Sequence, residues 1–162
     1  MRATWADFHE LSPERLYAVL RLRVDVFVVE QACPYPEIDG RDPDASHLLL
    51  EDAGTGRLAA YLRVFAPTPP PGGDGAAHIG RIVTAPDWRG AGLGSALVRM
   101  ALAEIALNHP GTASVLAAQA HLSGFYASLG FSPISAEYLE DGIPHIDMRR
   151  PATAELLENQ TQ

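Results

Sequence analysis

An apolar run, His78-Ile79-Gly80-Arg81-Ile82-Val83-Thr84, passes through a proline turn into Arg89-Gly90-Ala91-Gly92-Leu93-Gly94-Ser95, and a helix-forming stretch follows. The order is strand, glycine loop, helix. A helix that starts this way has first-turn N–H groups without intrahelical partners at the positive end of its dipole, which together form an anion site. Glycines at 90, 92 and 94 carry no Cβ, so a bulky phosphate can approach the backbone. A diphosphate is the natural guest.

Glycine loops serve several cofactors. A Walker loop needs Gly-Lys-Ser/Thr, and this chain contains no lysine. A dinucleotide fingerprint needs Gly-x-Gly-x-x-Gly and an acidic residue about twenty positions later. Here the spacing is Gly-x-Gly-x-Gly, and the corresponding region reads Gly111-Thr112-Ala113-Ser114.

At 162 residues and 47% hydrophobic composition, the chain can bury one substantial core and is too short for two ordinary domains. One domain over residues 1–151 with a tail over 152–162 is expected. A single cysteine excludes an intrachain disulfide. No apolar run approaches the roughly 18 residues needed to span a bilayer, and the N-terminus turns acidic at Asp7 before any hydrophobic core appears, so the cytoplasm is the expected setting. Twelve Lys+Arg against twenty Asp+Glu give a net charge of −8, which opposes nucleic-acid binding and favours cationic partners.

The chain then divides into elements. Residues 4–9 suit a short strand. Ser12-Pro13-Glu14 is a helix start, and Leu16, Leu20, Val24 and Phe27 carry an apolar face over about 12–29. The stretch from Cys33 to Asp44 is an irregular loop with several carboxylates. Residues 47–52 and 58–65 form a hairpin around Gly54-Thr55-Gly56. A proline- and glycine-rich linker over 67–77 precedes the central strand. A helix over about 93–108, a strand over 114–118 and a helix over 121–129 follow, then a hairpin of 131–136 with 145–149 and a loose helical turn after Pro151.

The glycine loop resembles the acetyl-coenzyme A loop of the GCN5-related N-acetyltransferases (GNAT), Arg/Gln-x-x-Gly-x-Gly/Ala, matched by Arg89, Gly92 and Gly94 and preceded by Val83-Thr84-Ala85-Pro86. Ser123-Gly124-Phe125-Tyr126-Ala127-Ser128-Leu129-Gly130-Phe131 is similar to the family's helix ending in Phe-Tyr-x-x-x-Gly-Phe. Val26-Phe27-Val28-Val29-Glu30-Gln31-Ala32-Cys33-Pro34-Tyr35, Gln119-Ala120-His121-Leu122 and Asp141-Gly142-Ile143-Pro144-His145-Ile146 resemble the ElaA-like branch.

This resemblance implies an α/β (α+β) acyltransferase fold: a mixed, mostly antiparallel sheet with splayed central strands and helices on both faces. It implies acetyl-CoA as co-substrate and no metal. Backbone groups of Ile82, Val83 and Thr84 would pair with the pantetheine arm. The amides of Gly90, Ala91, Gly92, Leu93, Gly94 and Ser95 would take the diphosphate, with Arg89 as a cationic contact. Tyr126 matches the family's general acid, a phenol beside the sulfur that protonates the departing thiolate. His78 occupies the position where related enzymes often carry a glutamate base, and an exposed histidine after a linker fits the same place.

Glu30 and Asp39 are alternative bases or anchors for a cationic acceptor, and His121 and His145 could line the same cavity. Cys33 has no identifiable histidine partner for an acyl-enzyme. His9, His47, His78, His121 and His145 lack ligand-like spacing. The implied reaction is direct acetyl transfer to a primary amine of a small cationic metabolite or a protein, by a monomer or homodimer. The alternative is a regulatory module that binds acyl-CoA without turnover.

Overall fold

The computed structural model describes residues 1–152, so the helical turn expected in the tail lies outside the described residues. The fold has two compact units, one built from Met1–Phe65 with Arg81–Val98, the other from residues 66–80 with the described residues from 99 onward.

In the first unit, β1 (Arg2–Asp7) pairs antiparallel with β2 (Ser46–Glu51), from Arg2 opposite Glu51 to Asp7 opposite Ser46. β2 pairs antiparallel with β3 (Leu58–Phe65). Leu48, Leu49 and Leu50, and Ala59 to Leu62, are buried on successive residues, so both strand faces are covered and the sequence reads as continuous apolar runs. The hairpin was legible to within a residue or two.

Helix α1 (Pro13–Arg23) starts at Ser12, whose side chain accepts the Arg15 N–H at 3.3 Å, with Pro13 at the first helical position. Val19 and Leu22 bury one face beside Leu11, Leu49, Tyr61 and Val83. Full burial of each such aliphatic side chain contributes about 1.5–3 kcal/mol. The expected helix to residue 29 continues in direction but changes pitch. Over Val24–Glu30 it widens into a π-helix, which runs out in five-residue hydrogen bonds from Gln31 N–H to Val26 O (3.2 Å) and Cys33 N–H to Val28 O (3.0 Å).

β4 (Ala77–Thr84) contributes its first half to the second unit and its second half to the first, and α2 (Leu93–Asn108) likewise begins in the first and ends in the second. In the second unit, β4 runs parallel to β5 (Ser114–Gln119), with only Ala77 opposite Ser114 and His78 opposite Val115. β5 pairs antiparallel with β8 (Ile143–Arg150) over six positions.

A 3₁₀ turn at Ala120–Leu122 leads into the short helix α3 (Ser123–Ala127), which replaces the longer one expected. Gly130, at φ 89°, ends it, and Phe131 N–H closes on Tyr126 O at 3.1 Å. The expected pairing of 131–136 with 145–149 is present but short, with β6 (Ser132–Pro133) antiparallel to β8 from Ser132 opposite Arg149 to Pro133 opposite Met148. No strand was expected between them, yet β8 also turns back from β7 (Tyr138–Glu140). Asp141 and Gly142 form its two-residue turn with φ of 50° and 79°, the left-handed pair that matches strand twist.

Hydrogen-bonded neighbours run β1-β2-β3-β4-β5-β8-β6, with β7 beside β8. The sheet is mixed and mostly antiparallel, as expected. Among the described residues no helix is long and apolar enough to cross a membrane.

Candidate functional site

The start of α2 is set by the glycines. Gly92 O accepts the Ala96 N–H at 3.1 Å, which makes Gly92 the N-cap and leaves the N–H groups of Leu93, Gly94 and Ser95 ahead of the first intrahelical donor. Gly90 and Gly92 have φ of 78° and 75°, a region that costs an L-residue about 1–2 kcal/mol. Space for a Cβ at either glycine is open, with nothing within 4 Å. Backbone conformation, not crowding, therefore asks for glycine here, and the turn presents its amides to an exposed surface.

Upstream, Ala85 N–H bonds to Ala59 O at 2.9 Å and ties the end of β4 to β3. Val83 is buried, and Ile82 and Thr84 are half-buried. Arg89 follows a 3₁₀ turn at Pro86–Trp88. Its Nη2 donates to Glu30 Oε2 at 2.9 Å and its Nε to Thr84 O at 3.4 Å. The residue expected on the diphosphate and the residue expected on the acceptor are thus joined to each other.

Sequence reasoning missed the largest electrostatic feature of this unit. Arg81 sits inside β4 with φ of 55°. Its Nε donates to Glu37 Oε1 at 2.7 Å, and its Nη2 to Glu37 O at 3.1 Å and Asp39 Oδ2 at 3.3 Å. Arg23, with no exposed surface, donates from Nε to the same Glu37 oxygen at 2.8 Å and from Nη1 to Asp42 Oδ1 at 2.7 Å. Arg63 donates from Nη1 to Asp42 Oδ1 at 2.7 Å and to Asp39 Oδ1 at 2.9 Å, with a further bond from Nη2 to Asp39 Oδ2.

Three guanidiniums meet three carboxylates, so the cluster is formally neutral. Hydrogen bonding from Arg63 holds Asp39 well below the usual carboxylate range, with Arg41 N–H and Arg81 adding to it against partial burial. Burial opposes the charge of Asp42, but Arg23 and Arg63 outweigh it and its pKa is lowered. The loop carboxylates Glu37, Asp39 and Asp42 are consequently not free charges waiting for a cationic acceptor. Asp39 is the weak base of an arginine clamp, ill suited to accept a proton at neutral pH.

Behind the cluster, His47 Nε2 lies 3.0 Å from Asp42 O and Nδ1 lies 2.7 Å from the Tyr61 hydroxyl. A carbonyl can only accept, so Nε2 carries the hydrogen and Tyr61 donates to Nδ1. Burial lowers the His47 pKa and keeps this ring neutral.

The remaining candidates belong to the second unit. Tyr126 is 6% exposed and meets Phe125 and Phe131 edge-on, at ring separations of 5.0 and 6.1 Å. Burial pushes its phenol up to about 12, so it is protonated at neutral pH. His78 is half exposed, and its Nε2 lies 3.0 Å from both Asp74 carboxylate oxygens. That contact assigns a hydrogen to Nε2, since a carboxylate accepts. His121 is exposed in the turn before α3. His145 donates from Nδ1 to Ile143 O at 2.8 Å and stacks on Tyr138, as a hairpin residue would. Cys33, in the first unit, is buried at 6% exposure.

Comparison with known proteins agrees with this reading of the fold. Residues 23–151 match a family model described as the Acetyltransferase (GNAT) domain. The UPF0039 protein Rv2851c of Mycobacterium tuberculosis is 42% identical over 158 residues, covering 96% of each chain. An acyl-CoA N-acyltransferase from Pseudomonas aeruginosa has a similar structure, with a TM-score of 0.84 and 42% identity over 93% of this chain and 99% of that one. Escherichia coli ElaA follows with a TM-score of 0.82 and 39% identity, over 92% and 98%. With its glycine turn capping α2 after the central strand and relatives at this level of identity, the chain belongs to the GNAT acetyltransferase family, alongside ElaA.

Proposed function

We propose that this protein transfers an acetyl group from acetyl-CoA to a primary amine of a small cationic metabolite or of a protein. One observation carries the donor half: Gly92 caps α2 and leaves the N–H groups of Leu93, Gly94 and Ser95 unpaired by the helix, behind an exposed turn whose glycines have nothing within 4 Å of where a Cβ would stand. Gly90 and Ala91 complete that cradle, and Arg89 supplies a cation beside it. The backbone of Ile82, Val83 and Thr84 holds the pantetheine arm.

In the transfer, the neutral amine nitrogen bonds to the thioester carbonyl carbon, the C–S bond breaks, and coenzyme A leaves as a thiolate that takes a proton. Tyr126, protonated across the neutral range, gives that proton or a hydrogen bond. His78 is the proposed base: with Nε2–H directed at Asp74, its Nδ1 lone pair can take the amine's proton directly or through water. Glu30 and His121 contribute to acceptor binding. The preference for a cationic acceptor rests on the net charge of −8 instead of the loop carboxylates, since Asp39 and its neighbours already face arginines. The proposed setting is the cytoplasm, with the protein acting as a monomer or homodimer on amines away from nucleic acid and membrane.

The second reading, an acyl-CoA-binding regulatory module, is favoured by one fact: Glu30 and Asp39 are both engaged by arginines, which leaves His78 to serve alone. The two readings separate by thiol release. With acetyl-CoA and a panel of polyamines, amino-acid derivatives and lysine peptides, steady amine-dependent release of coenzyme A is expected. Saturable acetyl-CoA binding with no release from any amine favours the module, and no binding at all sinks both.

A further inference from the structure

Among the described residues, three that are not glycine have positive φ: Ala32 (49°), Arg81 (55°) and Asp141 (50°). Ala32 closes a helix end and Asp141 a hairpin. Arg81 alone lies within a strand, immediately before the three residues assigned to the pantetheine arm. An L-residue in this region relaxes toward extended backbone unless its surroundings hold it.

The holding group is visible. Glu37 takes Arg81 Nε on Oε1 at 2.7 Å and Arg81 Nη2 on its carbonyl at 3.1 Å. From behind, Arg23 grips the same two oxygens at 2.8 and 3.3 Å. Glu37 is 3% exposed, and its other carboxylate oxygen is buried without a hydrogen-bond partner, so both guanidiniums load a single oxygen. A carboxylate fixed in this way cannot swing out to follow Arg81 if the strand straightens.

We infer that Glu37 and Arg81 are positioning residues: their ion pair locks the left-handed kink in β4 and thereby fixes the direction of the backbone N–H and C=O groups at Ile82, Val83 and Thr84 that take the coenzyme. Neither side chain touches the coenzyme. The inference rests on the donor-site reading above.

Glycine adopts positive φ without a Cβ penalty, and this separates a backbone role from a merely structural one. Arg81→Ala removes the lock and keeps the penalty; Arg81→Gly removes both. Each variant is checked by thermal melting and titrated calorimetrically with coenzyme A. Arg81→Ala is expected to weaken binding at least tenfold and Arg81→Gly to stay within about threefold of the parent. Glu37→Gln is expected to weaken binding in the parent background and to add no loss in the Arg81→Gly background.

An Arg81→Ala variant that fails to fold while Arg81→Gly folds and binds supports the same conclusion. Equal affinity of Arg81→Ala and the parent overturns it, as does equal weakness of the alanine and glycine variants, or failure of both to fold. If the parent itself binds no coenzyme A, the donor-site reading falls and takes this inference with it; if the parent binds and the variants do not differ, only this inference falls.

Discussion

The Glu30 carboxylate accepts a 2.9 Å hydrogen bond from the Arg89 guanidinium, with 44% and 45% of the two side chains exposed. Solvent screening limits such a pair to about 0–1 kcal/mol. Glu30→Gln is therefore expected to leave thermal stability nearly unchanged while releasing Arg89 toward a diphosphate. Coenzyme A should bind about two- to threefold more tightly at low ionic strength, a gain that shrinks as salt is added. Calorimetric titration across a salt series checks this, and an unchanged affinity at low salt counts against a role for Arg89 at the phosphates.

Gly92 and Gly40 share a φ of 75° and open space for a Cβ, but only Gly92 caps α2. Substituting alanine at either position should cost about 1 kcal/mol of stability through backbone strain alone. Gly92→Ala is expected to lower coenzyme A affinity tenfold or more, and Gly40→Ala to leave it unchanged. Equal losses would show that the glycine turn is not the phosphate cradle.

Tyr126→Phe should reduce kcat about a hundredfold while acetyl-CoA affinity is kept, in line with loss of a general acid. The same substitution has a signature in stability. Burial pushes the folded phenol up to about 12 from its ordinary 10.0, so between those limits the native state binds more protons than the unfolded chain and stability falls as pH rises. Tyr61 and Tyr138, also raised by burial, act in the same direction. Urea unfolding from pH 9 to 12 should show a shallower decline for Tyr126→Phe than for the parent.

Removing Arg23 leaves Glu37 and Asp42 each short of a cation in a site with no exposed surface on the arginine. Arg23→Met is expected to cost about 3–5 kcal/mol, the usual penalty for breaking a buried ion cluster from one side. The shift in urea midpoint at constant slope measures it. A loss below about 1 kcal/mol would mean that water reaches the cluster freely.

Acid should open the same cluster. Their arginine partners hold Asp39 and Asp42 below the ordinary aspartate value of 3.8, so the unfolded chain binds protons first as pH falls. Their contribution is complete above about pH 5 and is lost progressively below pH 4. Asp42→Asn should flatten the stability profile between pH 5 and 3, measurable by urea titration at each pH.

The parts of the fold that were legible in sequence carry local signals. Ser12 and Pro13 mark the start of α1, the alternation of apolar runs with Gly54 and Gly56 marks the β2–β3 hairpin, and the glycine turn fixes where α2 begins. The arginine–carboxylate cluster carries no such signal. Its pairs join residues 14 to 44 positions apart, so a reading of the stretch from Cys33 to Asp44 sees acidic loop residues and no hint that Arg23, Arg63 and Arg81 converge on them.

The change of pitch after Arg23 also escapes a period count, because Val24, Val26, Val28 and Val29 satisfy helical and π spacing about equally. The β7–β8 turn was readable as the Asp-Gly pair Asp141-Gly142. The pairing of 131–136 with 145–149 was legible and holds over Ser132–Pro133, whereas β7, exposed at all three residues, carries no buried-strand pattern.

Every cation in the buried cluster is a guanidinium, and the chain has no lysine anywhere. Reactive thioesters modify side-chain amines spontaneously, and acetylation of a lysine erases its charge. A protein that holds such a thioester is exposed to its own reagent, yet here the charges that lock its interior offer that reagent no nucleophile. Its electrostatic scaffold is inert to the chemistry it is proposed to perform.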